Sequence, residues 1–129
     1  MENRPYDIRD RSYLFAREVI AFCRTTAAEG DFVLRRLLGQ LVDAAGSVGA
    51  NSEEADDGQS KADFINKNCI ALKEIREARF WLRQLKDAEP RLASATNPLI
   101  DEAEQLKKIY RTIIVRAKEK RRDRGAALE

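Results

Sequence analysis

A chain of 129 residues, 43% hydrophobic and 36% charged, has room for one compact domain and not for two. Three Pro and six Gly are too few for a disordered or an all-β chain, and they suit long helices. The net charge is only +2, and no apolar stretch approaches the roughly 18 to 20 residues that cross a bilayer, so we expect a cytoplasmic protein without a membrane segment.

The sequence contains no histidine. Ser-His-Asp and Cys-His nucleophile arrangements, zinc sites with imidazole ligands and the Glu-x-x-His pairs of di-iron bundles all need one. Phosphate-binding loops are missing too, because Gly39, Gly46 and Gly49 lie in a helical pattern without the Lys-Ser/Thr signature. Cys23 and Cys69 have apolar neighbours and are interpreted as buried free thiols. We therefore expect no enzymatic activity and no cofactor.

The first two helices are predicted from capping residues and apolar spacing. Helix one is expected to begin near Asp10 or Ser12, either of which can cap free N–H groups, and to end near Thr26. Helix two is expected to run from Asp31 to about Asp56. The residues expected on their buried faces are Phe15, Val19, Phe22 and Thr26, then Leu34, Leu38, Leu41, Ala45, Val48, Ser52 and Ala55.

The third and fourth helices have equally clear starting signals. Ser60 and Asp63 resemble a capping box, with Asp in place of the usual Glu or Gln. Asn97 is the expected cap of helix four, with Pro98 at its first helical position. The residues expected on their buried faces are Ile65, Leu72, Ile75 and Leu82, then Leu99, Ala103, Leu106, Tyr110, Ile113 and Ala117.

The connections predict how the helices are arranged. Residues 27–30 and 57–59 form short connections and residues 87–96 a longer one, which favours an antiparallel up-down-up-down four-helix bundle. We assign residues 1–119 to this single domain, with residues 1–6 frayed. Residues 120–129 are expected to be a frayed basic tail, and their last two, Leu128-Glu129, are typical of the junction before an expression tag.

Two features of helix three do not fit a simple core. Arg79 falls in the same row as Ile65 and Leu72, so its charge needs a carboxylate, for which Glu54 and Glu77 are candidates, or it reaches solvent between helices. Three apolar residues point away from the buried face, and they predict either a contact with a second copy or cover by residues 87–96. These candidate interface residues are Ile70, Phe80 and Trp81.

Charge is unevenly distributed along the chain. Glu53, Glu54, Asp56 and Asp57 form an acidic cluster that we attribute to capping and solubility rather than to a metal site, because it has no imidazole and no calcium-loop spacing. A basic run near the C-terminus is either a solvated face or, repeated around an oligomer, a cation cluster that suits phosphate backbones. The basic residues are Arg111, Arg116, Lys118, Lys120, Arg121, Arg122 and Arg124.

Several stretches resemble a bacterial family of four-helix bundle proteins encoded within intervening sequences of large-subunit ribosomal RNA genes. The resemblance extends over nearly the whole chain, to about Arg116. The stretches that carry it are Tyr6-Asp7-Ile8-Arg9-Asp10-Arg11-Ser12, Ser47-Val48-Gly49-Ala50-Asn51-Ser52-Glu53-Glu54-Ala55, Ser60-Lys61-Ala62-Asp63-Phe64-Ile65 and Ile70-Ala71-Leu72-Lys73-Glu74, followed by Glu77 and Trp81-Leu82.

The resemblance implies an antiparallel four-helix fold, a ring-like homopentamer and no known catalysis. It also implies kinship with the accessory bundle of diversity-generating retroelements, which assists a reverse transcriptase and has a basic surface that contacts nucleic acid. Asn51 and Glu54 match the family's Asn-x-x-Glu pattern. Together with Glu77 and Arg79 they are expected to form a structural polar network.

We therefore expect a non-catalytic homo-oligomer that associates with RNA, DNA or a reverse-transcriptase-like protein through the clustered basic residues of helices three and four. The alternative is a protein-binding or structural scaffold whose basic residues only keep it soluble. The two differ in one measurable respect, because binding to phosphates weakens steeply with salt.

Overall fold

The computed structural model describes residues 7–57 and 60–128, and within these segments all regular structure is helical. The all-helical prediction with four long helices is therefore confirmed. α1 and α3 each pack against both α2 and α4, so the core lies between all four. The elements are α1 (Ile8–Ala27), α2 (Phe32–Asp56), α3 (Lys61–Ala88), a 3-10 turn (Pro90–Leu92) and α4 (Ala93–Leu128).

Side-chain caps determine where the first three helices begin. Asp7, Asp31 and Ser60 each accept a hydrogen bond from the backbone N–H three residues ahead, which satisfies a donor that the helix leaves free. The predicted caps Asp31 and Ser60 are confirmed. The predicted start of α1 at Asp10 or Ser12 is wrong, because the carboxylate of Asp7 already caps the helix and Ser12 is buried in the core.

The start of α4 also differs from the prediction. Asn97 does not cap it, and Pro98 lies inside the helix, which begins at Ala93 directly after the 3-10 turn. Leu92, Thr96 and Leu99 are buried at helical spacing, so packing keeps this segment helical although Pro98 cannot donate a backbone hydrogen bond. The connection between α3 and α4 is consequently only residues 89–92.

The buried faces agree closely with the apolar spacing. All seven positions predicted on α2 are buried, as are most of those predicted on the other helices. Phe22, Leu72 and Ile113 are half-buried instead, and Ile114 occupies the buried position next to Ile113. Among the helices in residues 7–57 and 60–128, none is long and apolar enough to cross a membrane.

The two cysteines have different environments, and we expect them to react at different rates. Both thiols are free, Cys23 is buried and Cys69 is half-buried. Burial raises the pKa of the Cys23 thiol from 9.0 to about 11, so the reactive thiolate stays scarce until the pH approaches that value. A colorimetric thiol reagent at pH 8 should label Cys69 first. Cys69→Ser should remove the faster labelling phase and Cys23→Ser the slower one. Equal labelling rates for the two thiols in the native protein would contradict the expectation.

Candidate functional site

A bidentate ion pair joins the start of α1 to α4. Arg11 Nε lies 3.0 Å from Glu102 Oε2 and Arg11 Nη2 lies 2.6 Å from Glu102 Oε1. The same Nη2 donates to Gln105 Oε1 at 3.1 Å. The two charged side chains are only 21% and 31% exposed, and planar two-point contacts of this kind are among the strongest in proteins. The pair therefore fixes α1 against α4.

A buried hydroxyl cluster lies where α1, α2 and α4 meet. Ser12 Oγ and Tyr110 Oη are 2.5 Å apart, and the Ser52 hydroxyl of α2 lies near enough to Tyr110 to lower its pKa. Burial raises the pKa of Tyr110 more than these two hydroxyl groups lower it. The phenol stays protonated at neutral pH, so its role is to satisfy polar atoms in the core.

The residues of the predicted polar network form separate contacts in the structure rather than one network. Asn51 Nδ2 donates to Ser47 O at 2.9 Å and lies 3.1 Å from Ser47 Oγ, one turn earlier in α2. Glu54 forms an ion pair with Lys67 of α3 at 2.7 Å, and this contact raises the pKa of Lys67. Asn51 thus has a partner in its own helix, and Glu54 has one across the α2–α3 contact.

Arg79 pairs with a residue that the sequence does not suggest. Its Nε lies 2.8 Å from Glu104 Oε1 on α4, and Lys107 Nζ lies 2.8 Å from the same oxygen. Arg79 Nε and Glu104 Oε1 are buried and meet as charges rather than as an aligned hydrogen bond. Lys107 and then Arg79 lower the pKa of Glu104. The expected partners Glu54 and Glu77 are wrong, because Arg79 lies on the side of α3 that meets α4.

The three apolar candidates on α3 differ in exposure. Trp81 is half-buried against the core, and its indole N–H donates to Glu77 Oε1 at 3.2 Å. Ile70 is half-buried as well. Ile70 and Trp81 therefore point only partly away from the core, and a contact of these residues with a second copy stays a prediction. Phe80 is the exposed one at 47%, and its ring meets that of Trp81 edge to face, with centroids 4.9 Å apart.

Beside Phe80, α3 and α4 form a basic groove that sequence reasoning missed. Its volume is about 580 Å³. The α3 residues recur three and four positions apart along one face, and this spacing could have revealed the stripe, but not that α4 adds further cations. The groove is lined by Lys73, Arg76, Glu77, Arg79, Phe80 and Arg83 of α3, and by Lys107 and Arg111 of α4.

The seven predicted basic residues all lie on α4, and all are exposed. Ala117 is the last buried residue of this helix as far as residue 125, and the helix continues to Leu128. Residues 118–125 therefore form about 12 Å of exposed helix beyond the core contacts, at about 1.5 Å per residue. The segment from residue 120 that the sequence predicts to be frayed is helical as far as the structure describes it.

The acidic cluster at the end of α2 is partly neutralised. Asp56 pairs with Arg9 at 2.6 Å and Glu54 with Lys67, whereas Glu53 and Asp57 line an open acidic pocket. Within residues 7–57 and 60–128, no group of three or more acidic or cysteine side chains is placed to hold a metal ion.

Comparison with known proteins identifies the family of this chain. The family model described as 23S rRNA-intervening sequence protein matches residues 4–112. The chain belongs to the 23S rRNA-intervening sequence protein family. A crystal structure of a protein of unknown function from the S23 ribosomal protein family of Bacteroides thetaiotaomicron has a TM-score of 0.73 and 29% identity, covering 83% of this chain and 97% of that chain. No curated protein matches.

Some features of this 23S rRNA-intervening sequence protein lie inside the region matched by the family model, and others lie outside it. The Arg11–Glu102 pair, the Ser12–Tyr110 contact and the basic groove all lie within residues 4–112. Of the seven basic residues on α4, six lie beyond residue 112. These six residues are called the basic end of α4, and they lie outside the segment that identifies the family: Arg116, Lys118, Lys120, Arg121, Arg122 and Arg124.

Proposed function

We propose that this protein is a non-catalytic homo-oligomer that associates with nucleic acid, or with an enzyme that processes nucleic acid, through the basic end of α4. The observation that carries the proposal is that all seven cations are exposed, and that five of them follow Ala117 on a part of α4 whose residues are exposed as far as residue 125. Each contact between such a cation and a phosphate releases condensed counterions, which favours binding at low salt.

Neutralising the basic end should weaken binding without unfolding the bundle. In a fluorescence titration with labelled single-stranded RNA, we expect binding at low salt that collapses near physiological salt. The triple variant Lys120→Gln/Arg121→Gln/Arg122→Gln should flatten the dependence of log K on log salt by about 2, because each lost phosphate contact removes about 0.7. Circular dichroism should show unchanged melting.

A matched control removes the same charge elsewhere. Arg17, Arg24 and Arg36 are exposed on α1 and α2, and replacing all three with Gln also lowers the net charge by three. This variant should keep the wild-type salt dependence. Absence of binding at low salt, or equal loss in both triple variants, would overturn the proposal and leave the scaffold interpretation.

The assembly belongs to the same proposal. Arg9 near the start of α1 pairs with Asp56 at the end of α2, and Arg91 before α4 pairs with Glu29 after α1; both contacts support the antiparallel up-down-up-down order. The exposed apolar side chains of Leu14 and Ile20 on α1 support self-association, for which the ring-like homopentamer is the expected form. Sedimentation analysis at micromolar concentration should give the mass of an oligomer, and a monomer alone would contradict it.

The protein-binding scaffold remains the second candidate because one observation favours it. Phe32 and Val33 are adjacent at the start of α2, and each is at least 60% exposed. Large apolar side chains in such positions are typical of protein interfaces when they are contiguous. The scaffold interpretation would be preferred if the protein oligomerises but does not bind nucleic acid at low salt.

A further inference from the structure

The basic groove between α3 and α4 has more positive charge than its neighbours can neutralise. Glu104 engages Arg79 and Lys107. The other four cations form no ion pair among the residues that the structure describes. Glu77 is the single acid in the lining, and one of its oxygens already accepts the Trp81 N–H. The four cations available to a ligand are Lys73, Arg76, Arg83 and Arg111, all exposed.

Phe80 places an aromatic ring among these cations. It lies one turn after Arg76 and one turn before Arg83 on the groove side of α3. Trp81 supports it by the edge-to-face contact, and Trp81 is itself held by the core and by Glu77. An exposed, supported ring offers a surface on which a base can stack, and the flanking cations suit phosphates.

The groove is continuous with the basic end of α4. Lys107, Arg111, Lys118 and Arg122 lie within an arc of about 60° on that helix, taking about 100° per residue. They span about 22 Å along its axis at about 1.5 Å per residue. A strand bound at the basic end could therefore extend along one side of α4 into the groove.

We propose that this groove binds single-stranded nucleic acid, with phosphates on Arg76, Arg83 and Arg111 and an unpaired base stacked on Phe80. The inference rests on the proposed function and adds its ligand class and a second contact area. Bases within a duplex already stack on one another, so the Phe80 ring is useful only for an unpaired strand. A second copy of the chain is the competing occupant, and the oligomer mass of the Phe80→Leu variant distinguishes it from a nucleic acid.

Replacing the ring tests the stacking. We expect Phe80→Leu to weaken binding of a single-stranded oligonucleotide roughly 10-fold, within the range measured for loss of base–aromatic stacking. RNA and DNA of the same sequence should both show the loss, and duplex binding should not change. Phe80→Trp should restore affinity. Phe32→Leu removes an exposed ring that does not line the groove and serves as the control.

Neutralising the groove tests the phosphate contacts. Arg76→Gln/Arg83→Gln should flatten the salt dependence of single-strand binding by about 1.4, because each lost contact removes about 0.7. Arg17→Gln/Arg24→Gln removes two exposed cations with the same seven-residue spacing on α1, and should have no such effect.

The outcomes separate this inference from the proposed function. If the wild type binds and the triple variant at the basic end is weakened, but Phe80→Leu binds single strands normally, the groove inference is overturned and the proposed function stands. If Phe80→Leu lowers the oligomer mass without changing binding, Phe80 belongs to an interface between copies, and the inference is overturned. If the wild type binds no nucleic acid at low salt, both fail.

Discussion

Replacing Tyr110 with alanine is expected to destabilise the protein by about 3–5 kcal/mol, the range for removing a buried aromatic side chain. Tyr110 is fully buried on α4 and reaches Ser12 of α1 and Ser52 of α2. The substitution would leave a cavity and would leave the buried Ser12 hydroxyl without its partner. Urea unfolding followed by circular dichroism measures the loss.

Tyr110→Phe separates the hydroxyl from the ring. It keeps the packing and leaves the Ser12 hydroxyl buried without Tyr110, so we expect a loss of about 1–3 kcal/mol. Removing both partners in Ser12→Ala/Tyr110→Phe should cost less than the sum of the single changes. Tyr13→Phe is the control, because Tyr13 is 60% exposed. An additive double variant would show that the hydroxyl contact contributes no coupling.

Removing Arg11 is expected to destabilise the protein by about 1.5–3 kcal/mol, the range for hydrogen bonds to charged groups. Arg11→Met keeps much of the apolar stem and leaves Glu102 without its bidentate partner in a half-buried position. Glu102→Gln measured alone and with Arg11→Met gives the coupling energy by a double-mutant cycle.

An exposed ion pair on the same helix provides the comparison. Arg9 and Asp56 are 44% and 58% exposed, and surface pairs contribute about 0–1 kcal/mol. Arg9→Met should therefore cost less than Arg11→Met in the same urea assay. Equal losses would mean that the burial and two-point geometry of the Arg11–Glu102 pair add nothing.

Helix positions and buried faces could be predicted well from the sequence because their causes are local. A cap such as Asp31 or Ser60 bonds to a backbone N–H three residues ahead, and burial on α2 repeats with the helical period. The prediction failed at Pro98, where local chemistry favoured a helix start. The burial of Leu92 and Thr96 instead extends the helix to earlier residues.

The candidate site could be predicted only in part, because local sequence patterns do not show which helices become neighbours. The basic run on α4 is contiguous in sequence and therefore visible. The groove is not, because its cations come from two helices and become neighbours only when α3 packs against α4. The exposure of Phe80 and the partial burial of Trp81 likewise depend on the surrounding core, although the two residues are adjacent in the chain.

The sequence by itself determined four helices, their apolar faces, the absence of histidine and a basic C-terminal run, since each follows from residues within a few turns of one another. Only the tertiary structure decided which charges meet. Arg11 and Glu102 are 91 positions apart, and Arg79 pairs with Glu104 rather than with a carboxylate on α2 or α3. Such partners depend on how helices pack, and that packing results from the whole core rather than from any one segment.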